Sequence, residues 1–221
     1  MSLQKIYIEL LERTGFSTET IDKHWQNLEK AYSSKSRHYH NLTHLSEMFD
    51  CFKAYKKYLQ FSDEVLYALF YHDYVYSSTQ KDNELKSAEF AVQLLPENTK
   101  VDKQIIFDMI LATKEHISSG MEDEKWLIDF DLKVLAKTPE DYKIYAKQIR
   151  KEFSIYPDLL YNSGRKKALE HFLEKEFIYQ TENFRKDFEL KARTNIQQEI
   201  DRLWTYNVIT FTPHQRTNTT I

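Results

Sequence analysis

The chain has 221 residues and a formal net charge of −3, with 41% hydrophobic and 29% charged residues, a globular composition long enough to bury a core without staples. Only 3 Gly, 4 Pro and a single Cys are present, which argues against a turn-rich β fold and rules out an internal disulfide. The near-balanced charge gives no general basic surface for nucleic acid, and no apolar run is long enough to span a bilayer.

Apolar residues recur at helical spacing along most of the chain. The opening MSLQKIYIELLERTG is an amphipathic helix with acids in it, not a signal peptide; with the lone Cys51 it points to the cytoplasm. The first helix runs from about Leu3 to Arg13 and stops at Gly15. A second follows Ser17 with Ile21, Trp25, Leu28 and Tyr32 on one face. After the polar loop SSKSRHYHN, a third carries Leu42, Leu45, Phe49 and Phe52. Ser62 is the expected N-cap of a fourth, which runs through Val65, Leu66, Leu69 and Phe70 to about His72–Asp73.

A fifth helix is expected from about Asn83 to Pro96. A sixth holds Ile105, Ile106, Met109 and Ile110 and reaches Lys114 and His116. A seventh holds Trp126, Leu127, Phe130 and Val134. Thr138-Pro139-Glu140-Asp141 is a helix start with cap, proline and acids in order, opening an eighth helix with Tyr142, Tyr145, Ile149 and Phe153. Short helical stretches follow around Leu159–Tyr161 and Arg165–Leu173, and a last helix spans about Thr181 to Trp204. The whole reads as one all-α domain over 1–205 with a polar tail at 206–221.

Five of the eight histidines fall between Arg37 and His116. In R-H-Y-H-N-L-T-H, His40 and His44 would stack one turn apart if the segment were helical. F-Y-H-D ends the fourth helix with His72 and Asp73, which alone could merely cap it. I-D-F-D-L puts Asp129 and Asp131 on an apolar helix. Two His and two Asp from separate elements, without thiolates, suit a divalent ion such as Mn, Mg, Fe, Ni, Co or Zn rather than a structural zinc.

That order resembles the HD superfamily of metal-dependent phosphohydrolases: a first His, a His-Asp pair, then a distant Asp. The chain is also similar to a bacterial subfamily of predicted phosphohydrolases with the blocks R-H-Y-H-N-L-x-H-L, F-H-D-x-V-Y, D-N-E-x-x-S-A, A-T-K-x-H and D-x-D-L. These fall here at Arg37–Leu45, Phe70–Tyr76 with one inserted tyrosine, Asp82–Ala88, Ala112–His116 and Asp129–Leu132. A further G-R-x-x-x-L-x-x-F-L match lies at Gly164–Leu173. The resemblance implies a helical HD bundle with added C-terminal helices, and a metal held by His44, His72, Asp73 and Asp131, with Asp129 as the alternative acid. The site is expected in a cleft between the third, fourth, sixth and seventh helices.

The implied activity is hydrolysis of a small phosphate ester, nucleotides included, by metal-activated water. The Y-H-N-x-x-H string also resembles that of cyclic-nucleotide phosphodiesterases, which implies His40 as general acid, with a supporting partner of the metal site as its alternative. Lys114 and Arg37 are the expected cations for phosphate, Glu84 or Asn83 would orient water or substrate, and His116 would line the pocket or bind a second ion. Lys114 and Glu84 equally suit the helix dipole, and Arg37 could hold its loop. The competing readings are an inactive metal or nucleotide sensor and a metal-free helical interaction protein. Neither a nucleic-acid nor a membrane partner is expected.

Overall fold

The computed structural model describes residues 2–210, and those residues form ten α-helices and no strand. They are α1 (Leu3–Thr14), α2 (Thr18–Tyr32), α3 (Leu42–Tyr55), α4 (Ser62–Tyr71), α5 (Asn83–Leu94), α6 (Lys103–Ala112), α7 (Glu122–Leu132), α8 (Pro139–Glu152), α9 (Asp158–Glu174) and α10 (Glu182–Thr210). The all-α class expected from glycine scarcity is what the chain adopts. No helix among the described residues is long and apolar enough to cross a membrane.

Local chemistry sets the boundaries. Gly15 ends α1 in the left-handed region at φ +101°, where a residue without Cβ costs least. Asn41 caps α3, its Oδ1 accepting from Thr43 N at 2.8 Å. Thr138 caps α8, with Oγ1 accepting from Asp141 N at 3.2 Å and proline next in line. Ser62 is not the cap of α4; Phe61 precedes the helix without a capping bond. Asp123 at the start of α7 instead accepts Gln60 N at 3.1 Å and Phe61 N at 2.6 Å, joining the two helix starts.

α4 is the centre of the N-terminal bundle. Every residue from Val65 to Tyr71 is buried, as an all-round apolar helix requires. It packs against α1, α3, α5, α6 and α7. Beyond α7, a short 3-10 turn at Lys133–Ala136 leads into α8, and α10 packs on that turn and on α9.

Two departures from the predicted elements matter below. α9 is one unbroken helix through Gly164, where the sequence suggested two short pieces, because a Cβ-less residue costs a helix only about 1 kcal/mol and packing on α10 outweighs it. α10 carries on past Trp204 to Thr210, into the tail expected at 206–221. Its remainder, with His214, lies outside the described residues.

Candidate metal centre

His44 enters from the first turn of α3, His72 from the residue that closes α4, and Asp131 from the end of α7. Their ligand atoms lie within 4.8 Å of one another. His44 Nε2 is 3.3 Å from His72 Nε2 and 3.3 Å from Asp131 Oδ1, and His72 Nε2 is 3.9 Å from that same oxygen. Ligands about 2.1 Å from one cation stand roughly 3.0–3.4 Å apart when adjacent in octahedral or tetrahedral geometry, so the spacing suits an ion. His72 Nδ1 donates to Leu69 O at 2.9 Å, which fixes the ring and leaves Nε2 as the inward nitrogen. The three side chains form a group that could hold a metal ion.

Asp73, expected as the fourth ligand, is not among the three residues whose ligand atoms all meet within 4.8 Å, but it stands at ligand-to-ligand spacing from one of them. Its Oδ2 lies 3.1 Å from His72 Nε2 and 4.0 Å from His40 Nε2. Burial disfavours charge on His72, but Asp73 outweighs it and pushes the imidazole up to about 9. The reverse attraction, against burial, holds Asp73 far below the usual carboxylate range. Asp131 is also held well below that range, despite burial, by hydrogen bonds with His116 and His44.

Asp129 and Asp131 are two residues apart on α7 and so face different ways. Asp129 accepts from Gln180 N at 2.6 Å, Thr181 N at 2.8 Å and Thr181 Oγ1 at 2.6 Å. Burial pushes its carboxyl up to about 7, and the three donors oppose that rise. The alternative ligand is therefore a clasp on the loop that enters α10. Asp131 uses both oxygens at the site, with Oδ2 3.2 Å from His116 Nε2. His116 lies past the end of α6, in the left-handed region at φ +52°.

His40 does not share a helix with His44, because α3 begins only after Asn41. The loop still brings the rings together, 5.9 Å apart and edge to face. Glu152, at the end of α8, holds this loop. Its Oε1 accepts Tyr39 N at 2.7 Å and His40 N at 3.0 Å, and its Oε2 faces His40 Nδ1 at 2.6 Å and accepts Tyr76 Oη at 2.7 Å. These donors outweigh burial and bring Glu152 down to about 2. The ionised carboxylate assigns the Nδ1 proton to His40 and leaves Nε2 facing Asp73. Burial works against the imidazolium, yet Asp73 and Glu152 raise the His40 pKa above its ordinary value.

The expected cations are placed otherwise. Arg37 is buried and gives Nη1 to Asp73 O at 2.7 Å and His40 O at 3.2 Å, and Nη2 to Tyr74 O at 2.8 Å. Its guanidinium lies 4.7 Å from the Tyr32 ring centre and 5.3 Å from that of Tyr76. It satisfies carbonyls at the turn after α4, a positioning task that takes it away from phosphate. Lys114 is exposed and lines neither cavity at the site; the A-T-K-x-H block delivers His116 instead. Asn83 spends its amide on Ser77, accepting from N at 3.1 Å and donating to O at 2.9 Å.

A cleft of about 370 Å³ reaches Asp131, His40 and His116. Its walls come from Tyr76 to Glu84, the 3-10 turn, α8 and α9, so it lies further toward the C-terminal helices than the third, fourth, sixth and seventh. Glu84 is on its lining. Among the described residues that line it, Arg165 alone carries a permanent positive charge. Glu199 holds Arg165 through Oε1 to Nε at 2.9 Å and Oε2 to Nη2 at 3.1 Å. A second cavity of about 250 Å³ reaches His44 and Asp131 beside Lys133 and Lys137.

Glu152, Arg165 and Tyr76 escaped the sequence reading. Arg165 had a signal, since it follows Gly164 in a matched block; Glu152 had none beyond its place next to the apolar Phe153. No family model, curated protein or solved structure matches the chain.

Proposed function

We propose that the protein is a metal-dependent phosphohydrolase acting on a small phosphate ester, and that its resemblance to the HD superfamily reflects kinship. The observation that carries this reading is the meeting of His44, His72 and Asp131 with His40, which Glu152 orients, at the edge of the same group. Their order along the chain, with Asp73 after His72, supports it.

A divalent ion bound by His44, His72 and Asp131 would polarise a phosphoryl oxygen and make water nucleophilic near neutral pH. The remaining tasks fall to the chain's own groups. Asp73, its Oδ2 3.1 Å from His72 Nε2, stands where it would join the same ion, and it raises the pKa of His40. His40 holds a proton on Nε2 for the departing ester oxygen, while Glu152 fixes its ring through Nδ1; such a positioned acid contributes about 10²–10⁴-fold. Arg165 supplies the positive charge in the cleft, a role first expected of Lys114 and Arg37. His116 keeps Asp131 Oδ2 occupied, and Glu84 stands on the lining where it can orient water or substrate.

The test is metal analysis of protein purified without chelator, followed by turnover of a panel of phosphomonoesters and nucleotides with Mn, Ni, Co or Mg. Bound metal in wild type, its loss in His72→Ala and turnover only in wild type are expected. Metal binding without turnover of any substrate would leave the sensor reading; equal turnover in both proteins would place the activity elsewhere.

A further inference from the structure

Tyr39 lies between His38 and His40, in the loop that Glu152 holds. Its backbone N–H is committed to Glu152 at 2.7 Å. Its ring is packed 4.7 Å from Tyr145, 4.8 Å from His44 and 4.9 Å from His40 between centres. The side chain is thus fixed on several sides, and the residue is only 7% exposed. Yet its hydroxyl has no hydrogen-bond partner, the one buried side-chain nitrogen or oxygen among the described residues of which this is true.

A buried hydroxyl without a partner loses its hydration and gains nothing in return. Phenylalanine would fill the same space without that cost, so packing does not explain a tyrosine here. The position does. Tyr39 lines both the larger cleft and the second cavity that reaches His44 and Asp131, so its place does not depend on which opening admits a ligand. The acids near it are already engaged: Asp131 with His44 and His116, Glu47 with Lys137, and Asp73 with His72.

We infer that the Tyr39 hydroxyl is a substrate-contact group that donates its hydrogen to a non-bridging oxygen of a phosphoryl group bound beside Asp131. The choice of a phosphoryl oxygen rests on the phosphohydrolase reading; the unpartnered donor at the site does not.

Tyr39→Phe tests this, since it removes the hydroxyl and keeps the ring. Wild type and variant, loaded with manganese, are titrated with inorganic phosphate by calorimetry, and their metal content, melting temperature and kcat/KM on the best phosphomonoester are compared. Unchanged metal content, a melting temperature equal to wild type or higher, phosphate binding weakened about tenfold and kcat/KM lowered about 10- to 100-fold are expected. Equal phosphate binding by the two proteins, or no binding by wild type, overturns the contact. Should wild type bind phosphate through Tyr39 and turn over nothing, the contact stands and hydrolysis falls. Should both proteins turn over substrate equally well, hydrolysis stands and the contact falls.

Discussion

Glu152 Oε2 lies 2.6 Å from His40 Nδ1, across an interval of 112 residues. The carboxylate from the end of α8 thereby fixes the ring of a histidine in the loop before α3 and, after Asp73, helps to raise its pKa. Glu152→Gln keeps much of the shape and removes the charge. Metal content is expected to stay at the wild-type level while kcat falls about 10- to 100-fold. Because His40 loses an attraction that raises its pKa, the alkaline limb of the pH–rate profile moves to lower pH. An unmoved limb would separate His40 from the acid role.

The same carboxylate ties stability to pH. Its pKa falls from 4.5 in the ordinary state to about 2 in the fold. Its contribution is therefore complete above 4.5 and is lost as pH drops through about 2. The shift corresponds to about 3 kcal/mol as an order of magnitude. Denaturant titrations of metal-free protein across this window should show a smaller loss of stability for Glu152→Gln than for wild type.

His72 runs in the opposite sense. Its folded pKa of about 9 lies above the ordinary 6.5, so in metal-free protein its stabilising contribution is full below 6.5 and is lost as pH rises through about 9. A metal ion needs the neutral ring, so binding must expel that proton. Metal affinity is expected to climb about tenfold per pH unit from neutrality up to about 9 and then flatten. Competition titrations with a chromogenic chelator measure this; an affinity indifferent to pH would mean that His72 is not a ligand.

Asp129 and Asp131 offer a paired test on one helix. Asp129→Ala strands Gln180 N and Thr181 N, each worth about 1–3 kcal/mol when buried and unpaired, so a markedly lower melting temperature with normal metal content is expected. Asp131→Ala should lose metal with a smaller stability penalty. Metal loss confined to Asp129→Ala would reverse the assignment.

Arg165 and Lys114 separate the observed cation from the predicted one. Lys114→Ala is expected to leave kcat and KM within about twofold, as exposed substitutions usually do. Arg165→Lys keeps a charge but loses the paired grip of Glu199, so KM should rise about tenfold. A larger effect at Lys114 than at Arg165 would restore the earlier choice.

These residues also mark where a one-dimensional reading stops. His44, His72 and Asp131 stood out because rare residue types sit in short, ordered strings whose neighbours are apolar. Helix existence followed from periodicity and caps, as for Gly15 and Thr138. Arg37 looked like a phosphate ligand because a basic residue beside histidines gives no hint of the three carbonyls it serves. Glu152 was hidden because it ends a helix whose pattern looks complete without it, and its partners Tyr39, His40 and Tyr76 lie 76 to 113 residues away. The two short stretches expected around Leu159–Tyr161 and Arg165–Leu173 are one helix, because α9 packs on α10 and apolar spacing alone does not show that partner.

The burial of α4 on every side has one more consequence. Such a segment is shielded from solvent by all its neighbours, so its amides open only when most of the molecule does. His72 grows from the last carbonyls of that rod, through Leu69 O, whereas Tyr76 to Asp82 and His116 sit on connecting loops. The ring at residue 72 is therefore fixed to the most shielded part of the fold, whereas part of the cleft's lining belongs to loops.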